Sequence, residues 1–218
     1  MLTAPISSNT NFPAPLGVLL FLAALAGALF GSAAAAIAWF ARKPKFARAS
    51  LLSVAFASVS YFALLSGFSF ASHSRVLARN REKYFCEIDC HLAYSVRAVE
   101  KEPAAGASRY VVTIRTRFDE TTISPSRPKD APLTPSPRTV YLVDASGHRY
   151  LPVPVQGMPL LTALTPGEFY ETQVGFDVPP EAKADDLRLL ITTTPAWPDR
   201  LLIGDENSVL HAKTYFAL

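Results

Sequence analysis

Ionisable residues are missing from two long stretches of this chain. Residues 1–41 and 49–71 contain no Asp, Glu, Lys, Arg or His. A bilayer core about 30 Å thick is crossed by a helix of about 20 apolar residues, and both stretches reach that length. Proton relays and ion pathways usually place an ionisable residue within the bilayer, so its absence here argues against transport. We predict a transmembrane hairpin over residues 1–83, with helices at about residues 16–41 and 49–71.

Recognisable catalytic and cofactor motifs are missing as well. The sequence has no Gly-rich phosphate loop and no Gly-x-Ser-x-Gly nucleophile elbow. His148 and His211 lie in or near predicted strands, and neither has a Cys or a carboxylate at ligand spacing, which is typical of structural histidines. We therefore expect a protein that is not an enzyme and that binds no cofactor.

Basic residues are concentrated beside the predicted spans. Residues 1–83 hold eight Lys and Arg against one acid, whereas residues 84–218 hold 13 against 17. The bases form two groups that we expect to contact anionic lipid headgroups. They are Arg42, Lys43, Lys45 and Arg48 between the spans, and Arg75, Arg79, Arg81 and Lys83 after the second span. The mildly acidic remainder of the chain disfavours nucleic-acid binding.

These two basic groups are equal in number, so the positive-inside rule does not orient the hairpin by itself. An N-terminal tail without charge is easily translocated, and a short loop with four bases is not. We therefore predict a multi-pass protein of the inner (cytoplasmic) membrane with an extracytoplasmic domain. In an alternative interpretation the first run is a cleaved signal peptide, but it lacks an N-terminal Lys or Arg and is too long.

Small residues recur at every fourth position of the first predicted helix. They are Ala23, Gly27, Gly31 and Ala35. Small side chains on one helical face let a second helix backbone approach closely. The partner of this helix-packing stripe is either the second span or another subunit. Beyond membrane lipid, we expect the protein to associate with another membrane protein or with itself.

After Lys83 the apolar residues alternate with polar ones, which is the pattern of half-buried strands. About eight strands are predicted, at residues 92–98, 110–118, 139–143, 148–155, 169–178, 187–192, 201–203 and 209–216. Closely spaced strands without a long amphipathic helix between them are typical of a β-sandwich. We predict that residues 84–218 form an antiparallel immunoglobulin-like β-sandwich. Residues 123–138 contain five prolines and are predicted to form an extended connection or, alternatively, a docking arm.

Two turn motifs resemble a family signature. Thr165-Pro166-Gly167-Glu168, followed by a strand and then Pro179-Pro180, resembles a signature of bacterial immunoglobulin-like, telokin-like domains of unknown function. The Asp144-x-x-Gly-x-x-Tyr150 stretch is similar to the hairpin that precedes that signature. The resemblance covers about residues 90–195, and it implies an extracytoplasmic sandwich with no common catalytic residues. Because this chain has two predicted spans rather than one anchor, a place in a larger membrane assembly is expected.

One cluster of possible ligands follows the second span. Cys86, Cys90 and His91 lie within six residues of one another. Residues four apart are about 13 Å apart in a strand but about 6 Å apart in a helical turn, so a Cys86–Cys90 disulfide requires that the segment turn. The alternatives are two free thiols, a copper or zinc site with His91, and covalent haem.

The metal alternative has a partial precedent. Two helices followed by an extracytoplasmic β domain resemble the second subunit of cytochrome oxidases, whose copper centre uses Cys-x-x-x-Cys-x-x-x-His. Here the cysteines precede the strands, and Tyr94 stands where that motif has His. Our leading hypothesis is therefore a non-enzymatic membrane protein that presents a β-sandwich for partner binding or scaffolding. The alternative is a redox or metal accessory protein that uses Cys86, Cys90 and His91.

Overall fold

The structure is a computed structural model that describes residues 14–85, 91–104, 106–123, 127–128, 130–153, 158–180, 186–194 and 197–218. The chain divides into two compact units. The helical unit comprises Thr10–His73 and Pro195–Ala212, and the β-sandwich domain includes Ser74–Thr194 and Lys213–Leu218. The segment between the last two strands therefore belongs to the helical unit, although it is far from the helices in sequence.

Two long helices form the core of the helical unit. Helix α1 spans Ala14–Phe40 with 27 residues, and helix α2 spans Pro44–Ala71 with 28 residues. Both are long and apolar enough to cross a membrane, judged by length and composition. Helix α2 begins five residues before the predicted span, because Pro44 supplies a favourable first helical residue and Lys45 and Arg48 then extend the helix.

The face of α1 with the lowest exposure follows alternating steps of three and four residues. It consists of Gly17, Phe21, Ala24, Ala28, Gly31, Ala35 and Ala38. Six of these seven residues are Ala or Gly, and the ring of Phe21 lies 6.5 Å from that of Tyr61 on α2. Residues at this spacing stay on one helical face, so their small side chains allow the two helices to pack closely.

The predicted small-residue stripe does not stay on this face. A step of four residues advances about 40° beyond a full turn, so a strict four-residue stripe drifts around the helix. Ala35 is buried, and a Cβ added at Gly31 would overlap with Cγ2 of Val54 on α2. Ala23 and Gly27 are exposed, and a Cβ added at Gly27 would have no atom within 4 Å. Half of the stripe thus packs within the hairpin and half faces outward.

Leucine substitutions at the two glycines should separate these roles. We expect Gly31→Leu to lower the stability of the helical unit by about 1–3 kcal/mol, because the added side chain overpacks against Val54. Gly27→Leu should leave it nearly unchanged. Thermal unfolding of the full-length protein in detergent, followed by tryptophan fluorescence, measures the difference. Equal melting temperatures for the two variants would contradict this packing.

The described part of the β-sandwich domain contains nine strands. They are β1 (Arg75–Leu77), β2 (Lys83–Phe85), β3 (Leu92–Ala104), β4 (Ala107–Phe118), β5 (Arg138–Val143), β6 (Arg149–Tyr150), β7 (Phe169–Val178), β8 (Arg188–Thr193) and β9 (Thr214–Ala217). One sheet has the order β2-β3-β4-β7, and the other has the order β1-β9-β8-β5-β6. Strands β1 and β9 pair in parallel, whereas the other described pairings are antiparallel.

A hydrophobic core lies between the two sheets. Strands β3 and β4 contribute Val96, Val112, Ile114 and Phe118, while β5, β8 and β9 contribute Leu142, Leu189, Ile191 and Phe216. Each of these side chains is fully buried. The period-two pattern of the sequence reflects this arrangement, because alternate residues of a strand face the core. The prediction of a β-sandwich is confirmed at the level of two packed sheets.

Three strand predictions need correction. Residues 201–203 are not a strand, because Pro198–Leu201 forms a 3₁₀ turn and bends follow it. The last strand starts only at Thr214. Among its described residues 148–153, the arm predicted at residues 148–155 pairs with β5 through Arg149–Tyr150, after which Val153 forms an isolated bridge with Gly175. Pro152, which has no backbone N–H, separates the two contacts and explains the change of partner.

The two turns of the family resemblance have clear structural roles. At Thr165–Glu168 the Glu168 N–H donates to the Thr165 carbonyl at 3.0 Å, and Gly167 has a φ of 85°. A turn with proline second and glycine third requires that left-handed conformation. In the β5–β6 hairpin, Asp144 accepts hydrogen bonds from the Ser146 and His148 backbone N–H groups and from the Tyr150 hydroxyl. Both motifs stabilise chain reversals.

Lys83 contradicts the prediction that it belongs to a membrane-flanking basic group. Its side chain has 0% exposure, while Arg75, Arg79 and Arg81 are exposed. The Lys83 ammonium donates to the carbonyls of Ile191 at 2.6 Å and Thr214 at 3.2 Å. It also lies 4.7 Å from the centre of the Phe85 ring. Lys83 therefore bridges the two sheets from inside the sandwich and cannot contact headgroups.

Candidate functional site

A group of five polar side chains covers the outer face of the β2-β3-β4 end of one sheet. We name Glu82, Tyr84, Arg117, Asp119 and Thr121 the outer-face cluster. Its position follows from strand register, because Tyr84 on β2 and Arg117 on β4 both pair with Ala93 on the strand between them. Ala93 presents only a methyl group, so the two long side chains can meet above it. Ala93 is 1% exposed as a result.

Arg117 is the central cation of the outer-face cluster. Its guanidinium donates two hydrogen bonds to Glu82, with Nε to Oε1 at 2.8 Å and Nη2 to Oε2 at 2.7 Å. Nη2 also lies 3.2 Å from Oδ2 of Asp119. This two-pronged geometry is the strongest form of an arginine–carboxylate pair. Arg117 and Glu82 are about 70% buried, with side chains 29% and 30% exposed, so water screens the pair only in part.

Asp119 connects the cluster to the chain reversal after β4. The Tyr84 hydroxyl donates to Oδ2 of Asp119 at 2.5 Å. The other carboxylate oxygen accepts from the Thr121 backbone N–H at 3.0 Å and from the Thr121 hydroxyl at 2.7 Å. Asp119 thereby caps the 3₁₀ turn Glu120–Thr122, whose first amides have no partner within the turn.

Hydrogen bonds fix the charge states of the outer-face cluster at neutral pH. Burial alone would raise the pKa of Asp119, but hydrogen bonds from Tyr84, Thr121 and Arg117 outweigh burial and lower the pKa to about 2. The hydrogen bond from Arg117 lowers the pKa of Glu82. Burial, together with the hydrogen bond to Asp119, raises the pKa of the Tyr84 hydroxyl. None of these shifts brings a group toward pH 7.

The lowered pKa of Asp119 predicts an acid-dependent loss of stability. A carboxylate whose pKa falls from 3.8 to about 2 on folding stabilises the native state above pH 3.8, and this contribution is lost as the pH falls toward 2. Urea unfolding of the full-length protein in detergent, repeated between pH 5 and pH 2, measures the loss. The variant Asp119→Asn should show a shallower pH dependence over that window. An unchanged slope would contradict the assignment.

His91 is the described member of the predicted ligand cluster. It is 3% exposed, its Nδ1 lies 2.7 Å from the Thr122 hydroxyl, and its ring stacks on Phe118 at 5.6 Å. Its carbonyl also accepts the Asp119 N–H at 2.8 Å. The imidazole is thus held by Thr122 and Phe118. These contacts are typical of a structural histidine.

Cys86 and Cys90, the predicted disulfide and metal candidates, lie outside the described residues. The disulfide, free-thiol and metal alternatives therefore stay predictions. Among the residues that the structure does describe, no group of three or more His, Cys, Asp or Glu side chains is placed to hold a metal ion.

The sequence analysis does not predict that the outer-face cluster forms. Its members are separated by 39 positions, from Glu82 to Thr121, and no spacing rule connects them. One local indication was available, because Asp119 stands two residues before Thr121 at the end of an alternating strand, which is a capping pattern. The pairing across Ala93 needs the strand register, which the sequence pattern alone does not specify.

Comparison with known proteins gives one structural similarity. No protein-family model and no curated protein sequence matches the chain. Among solved structures, the chain is similar to an uncharacterized β-sandwich protein from Clostridium difficile 630, with 12% sequence identity and a TM-score of 0.40. The match covers 66% of this chain and 94% of that chain. The strand pairings, and not this similarity, define the two-sheet fold.

Proposed function

We propose that this protein is a non-enzymatic protein of the inner membrane, in which α1 and α2 anchor an extracytoplasmic immunoglobulin-like sandwich that binds or scaffolds a partner. The observation that carries the proposal is the apolar outer surface of the two helices. Large side chains there are mostly exposed, among them Phe30, Ile37, Leu52, Phe56, Val59 and Phe70, and the exposure of Phe30 and Phe56 is 76%. Such a surface is stable against hydrocarbon.

Water is an unfavourable environment for this surface. Soluble monomers rarely expose a contiguous apolar patch larger than a few hundred Å², and each Å² of apolar area in water costs about 25 cal/mol. A helix that served as the core of a soluble protein would instead bury most of its residues. In α2 only Ala47, Leu65 and Ser69 are buried. A lipid bilayer accounts for both the length of these helices and their exposed apolar faces.

The pKa shifts resolved in the β-sandwich domain are those expected of structural contacts. Hydrogen bonds or ion pairs lower the pKa of Glu82, Asp119, Asp144, Glu168 and Asp177, and burial raises the pKa of Tyr84 and Tyr170. A general acid or base needs a pKa near the working pH, so catalysis would require shifts in the opposite direction. These described groups keep their ordinary charge at pH 7 and act as structural contacts.

Fractionation of cells tests the anchor. We expect the full-length protein to stay in the membrane pellet after alkaline carbonate washing and to be released only by detergent. A protease added to spheroplasts should digest the β-sandwich domain, whereas inverted membrane vesicles should protect it. Intact protein in a detergent-free supernatant would refute the anchor. Protection in spheroplasts with digestion in inverted vesicles would refute only the orientation.

Partner binding has its own test. The outward-facing Gly27 on α1 leaves room for an approaching helix, so Gly27→Leu should reduce co-purification of a partner from native membranes or shift the size of a self-associated form. Gly67→Leu on α2 is the matched control, since a Cβ there also meets no atom within 4 Å. An unchanged partner and oligomer size in Gly27→Leu would contradict docking at this face.

A further inference from the structure

The segment that follows β8 is attached to the helices rather than to a sheet. Among its described residues 197–212, the Leu201 carbonyl accepts a hydrogen bond from the Tyr61 hydroxyl at 2.5 Å. The Ile203 carbonyl lies against α1, where a Cβ added at Gly17 would be 2.7 Å from that oxygen. Gly17 therefore permits a contact with Ile203 that no other residue allows. We call residues 197–212 the helix-bound segment.

The position of Tyr61 places this attachment at the depth of the bilayer. Arg48 is the last base before the charge-free run, so a hydrocarbon layer about 30 Å thick that begins after Arg48 ends near residue 68. Tyr61 follows Arg48 by thirteen residues, which is about 20 Å along the helix axis. The Leu201 carbonyl, which accepts from Tyr61, therefore lies on the hydrocarbon side of the second boundary, about 10 Å from it.

The backbone of the helix-bound segment is suited to that depth. Several of its N–H groups donate to carbonyls within the segment, with Leu202 to Asp199 at 3.2 Å, Asp205 to Leu202 at 3.3 Å and Val209 to Arg200 at 3.0 Å. The Ser208 N–H donates to Asp205 at 3.0 Å. Irregular backbone is tolerated close to lipid only where its polar groups are satisfied in this way.

Four of the five exposed side chains in the helix-bound segment are apolar, and Arg200 is the fifth. Trp197 is 73% exposed, Leu210 is 64% exposed and Val209 is 48% exposed. Leu210 also has a φ of 64°, a left-handed conformation that is unfavourable for a bulky residue. Asn or Gly would suit that backbone and water better. A large apolar side chain at this position is explained if its surroundings are lipid.

We propose that the helix-bound segment is a second membrane contact, which inserts Trp197, Val209 and Leu210 into the boundary between headgroups and acyl chains of the bilayer that α1 and α2 cross. Trp is enriched at this boundary because its apolar ring and polar N–H suit the two sides. The exposed Arg200 is placed in the same segment to contact lipid phosphate. The proposal rests on the proposed function, since it requires that the helices span a membrane.

The two tryptophans of the chain allow a direct test. The variant Trp39→Phe leaves Trp197 as the reporter of the helix-bound segment, and Trp197→Phe leaves Trp39, near the end of α1, as the reporter of the hairpin. Each full-length variant is reconstituted in phosphatidylcholine vesicles, either unmodified or with acyl chains brominated close to the headgroup. We expect brominated lipid to reduce Trp197 fluorescence about twofold, because bromine quenches only at contact distance and Trp resides at this boundary.

The outcomes separate this proposal from the anchor. Quenching of both reporters supports both. If Trp39 is quenched while Trp197 is quenched only by aqueous iodide, the helix-bound segment faces water and the proposal is overturned while the anchor stands. If neither reporter is quenched by brominated lipid, both fail. A further variant, Leu210→Asn in the Trp39→Phe background, suits the left-handed backbone and should weaken the quenching of Trp197 by lipid without unfolding the segment.

Discussion

Replacing Lys83 with methionine should lower the free energy of unfolding of the β-sandwich domain by about 2–4 kcal/mol, since two buried carbonyls would lose a donor. The ladder between β8 and β9 ends at the pair Leu189 and Phe216. Two positions further in that register, Ile191 would be opposite Thr214, and these are the residues whose carbonyls accept from the Lys83 ammonium. Lys83 thus connects β8 and β9 just beyond the point where their ladder ends.

Methionine retains most of the length of the lysine side chain, so this substitution tests the ammonium rather than a cavity. Urea unfolding of the full-length protein in detergent, followed by far-ultraviolet circular dichroism, gives the free energy. Lys101→Met is the matched control, because Lys101 is exposed and its Nζ lies 5.5 Å from the centre of the Tyr110 ring. We expect that control to change stability by less than about 0.5 kcal/mol. Equal effects of the two substitutions would contradict the bridging role of Lys83.

Lys83 shows where sequence reasoning fails in this fold. Four bases after a predicted span form a pattern typical of lipid contact, and three of them are exposed as that pattern predicts. Nothing in the sequence distinguishes the fourth. Strand register decides its environment, because Lys83 pairs with the core residue Tyr94, so its side chain must enter the sandwich. Period-two patterns identify strands from apolar residues, and a buried base breaks the pattern.

The elements that could be predicted were those set by local periodicity. Two charge-free runs predict α1 and α2, and alternating residues predict β4, β5, β7 and β8 close to their observed bounds. Strand β3 starts as predicted but continues six residues past its predicted end at residue 98. The apolar triplet at residues 201–203 also predicts a strand, which the structure does not have. It was misassigned because its burial comes from the distant Gly17 and Tyr61 rather than from a neighbouring strand. A sequence pattern that covers a few neighbouring residues does not detect contacts between residues far apart in sequence.

The helix-packing stripe illustrates a second limit. Its four-residue spacing is a valid motif over one or two turns, and Gly31 and Ala35 do lie in the hairpin interface. Extended over four turns, the stripe leaves the interface, which follows steps of three and four residues instead. The sequence therefore contained the residues of the α1–α2 interface among several other small residues. The face of α1 that packs against α2 had to be known before these residues could be identified.

Replacing Arg117 with methionine should destabilise the β-sandwich domain by about 2–4 kcal/mol, because the substitution leaves Glu82 and Asp119 partly buried beside each other without a cation. The effect should be largest at neutral pH and should shrink toward pH 2, where the carboxylates become protonated and no longer repel. Urea unfolding at pH 7 and at pH 3 measures both the loss and its pH dependence.

Arg109 provides the matched control on the same strand. Its side chain pairs with Asp177 at 2.6 Å, but the two side chains are 40% and 37% exposed, so water replaces much of the interaction when Arg109 becomes methionine. We expect a clearly smaller loss for Arg109→Met than for Arg117→Met. If both variants lose the same stability, or if the loss at Arg117 does not depend on pH, the outer-face cluster acts through packing rather than through charge. Arg117 donates hydrogen bonds to two acids, Glu82 and Asp119, whereas Arg109 donates to Asp177, and this difference should decide the result.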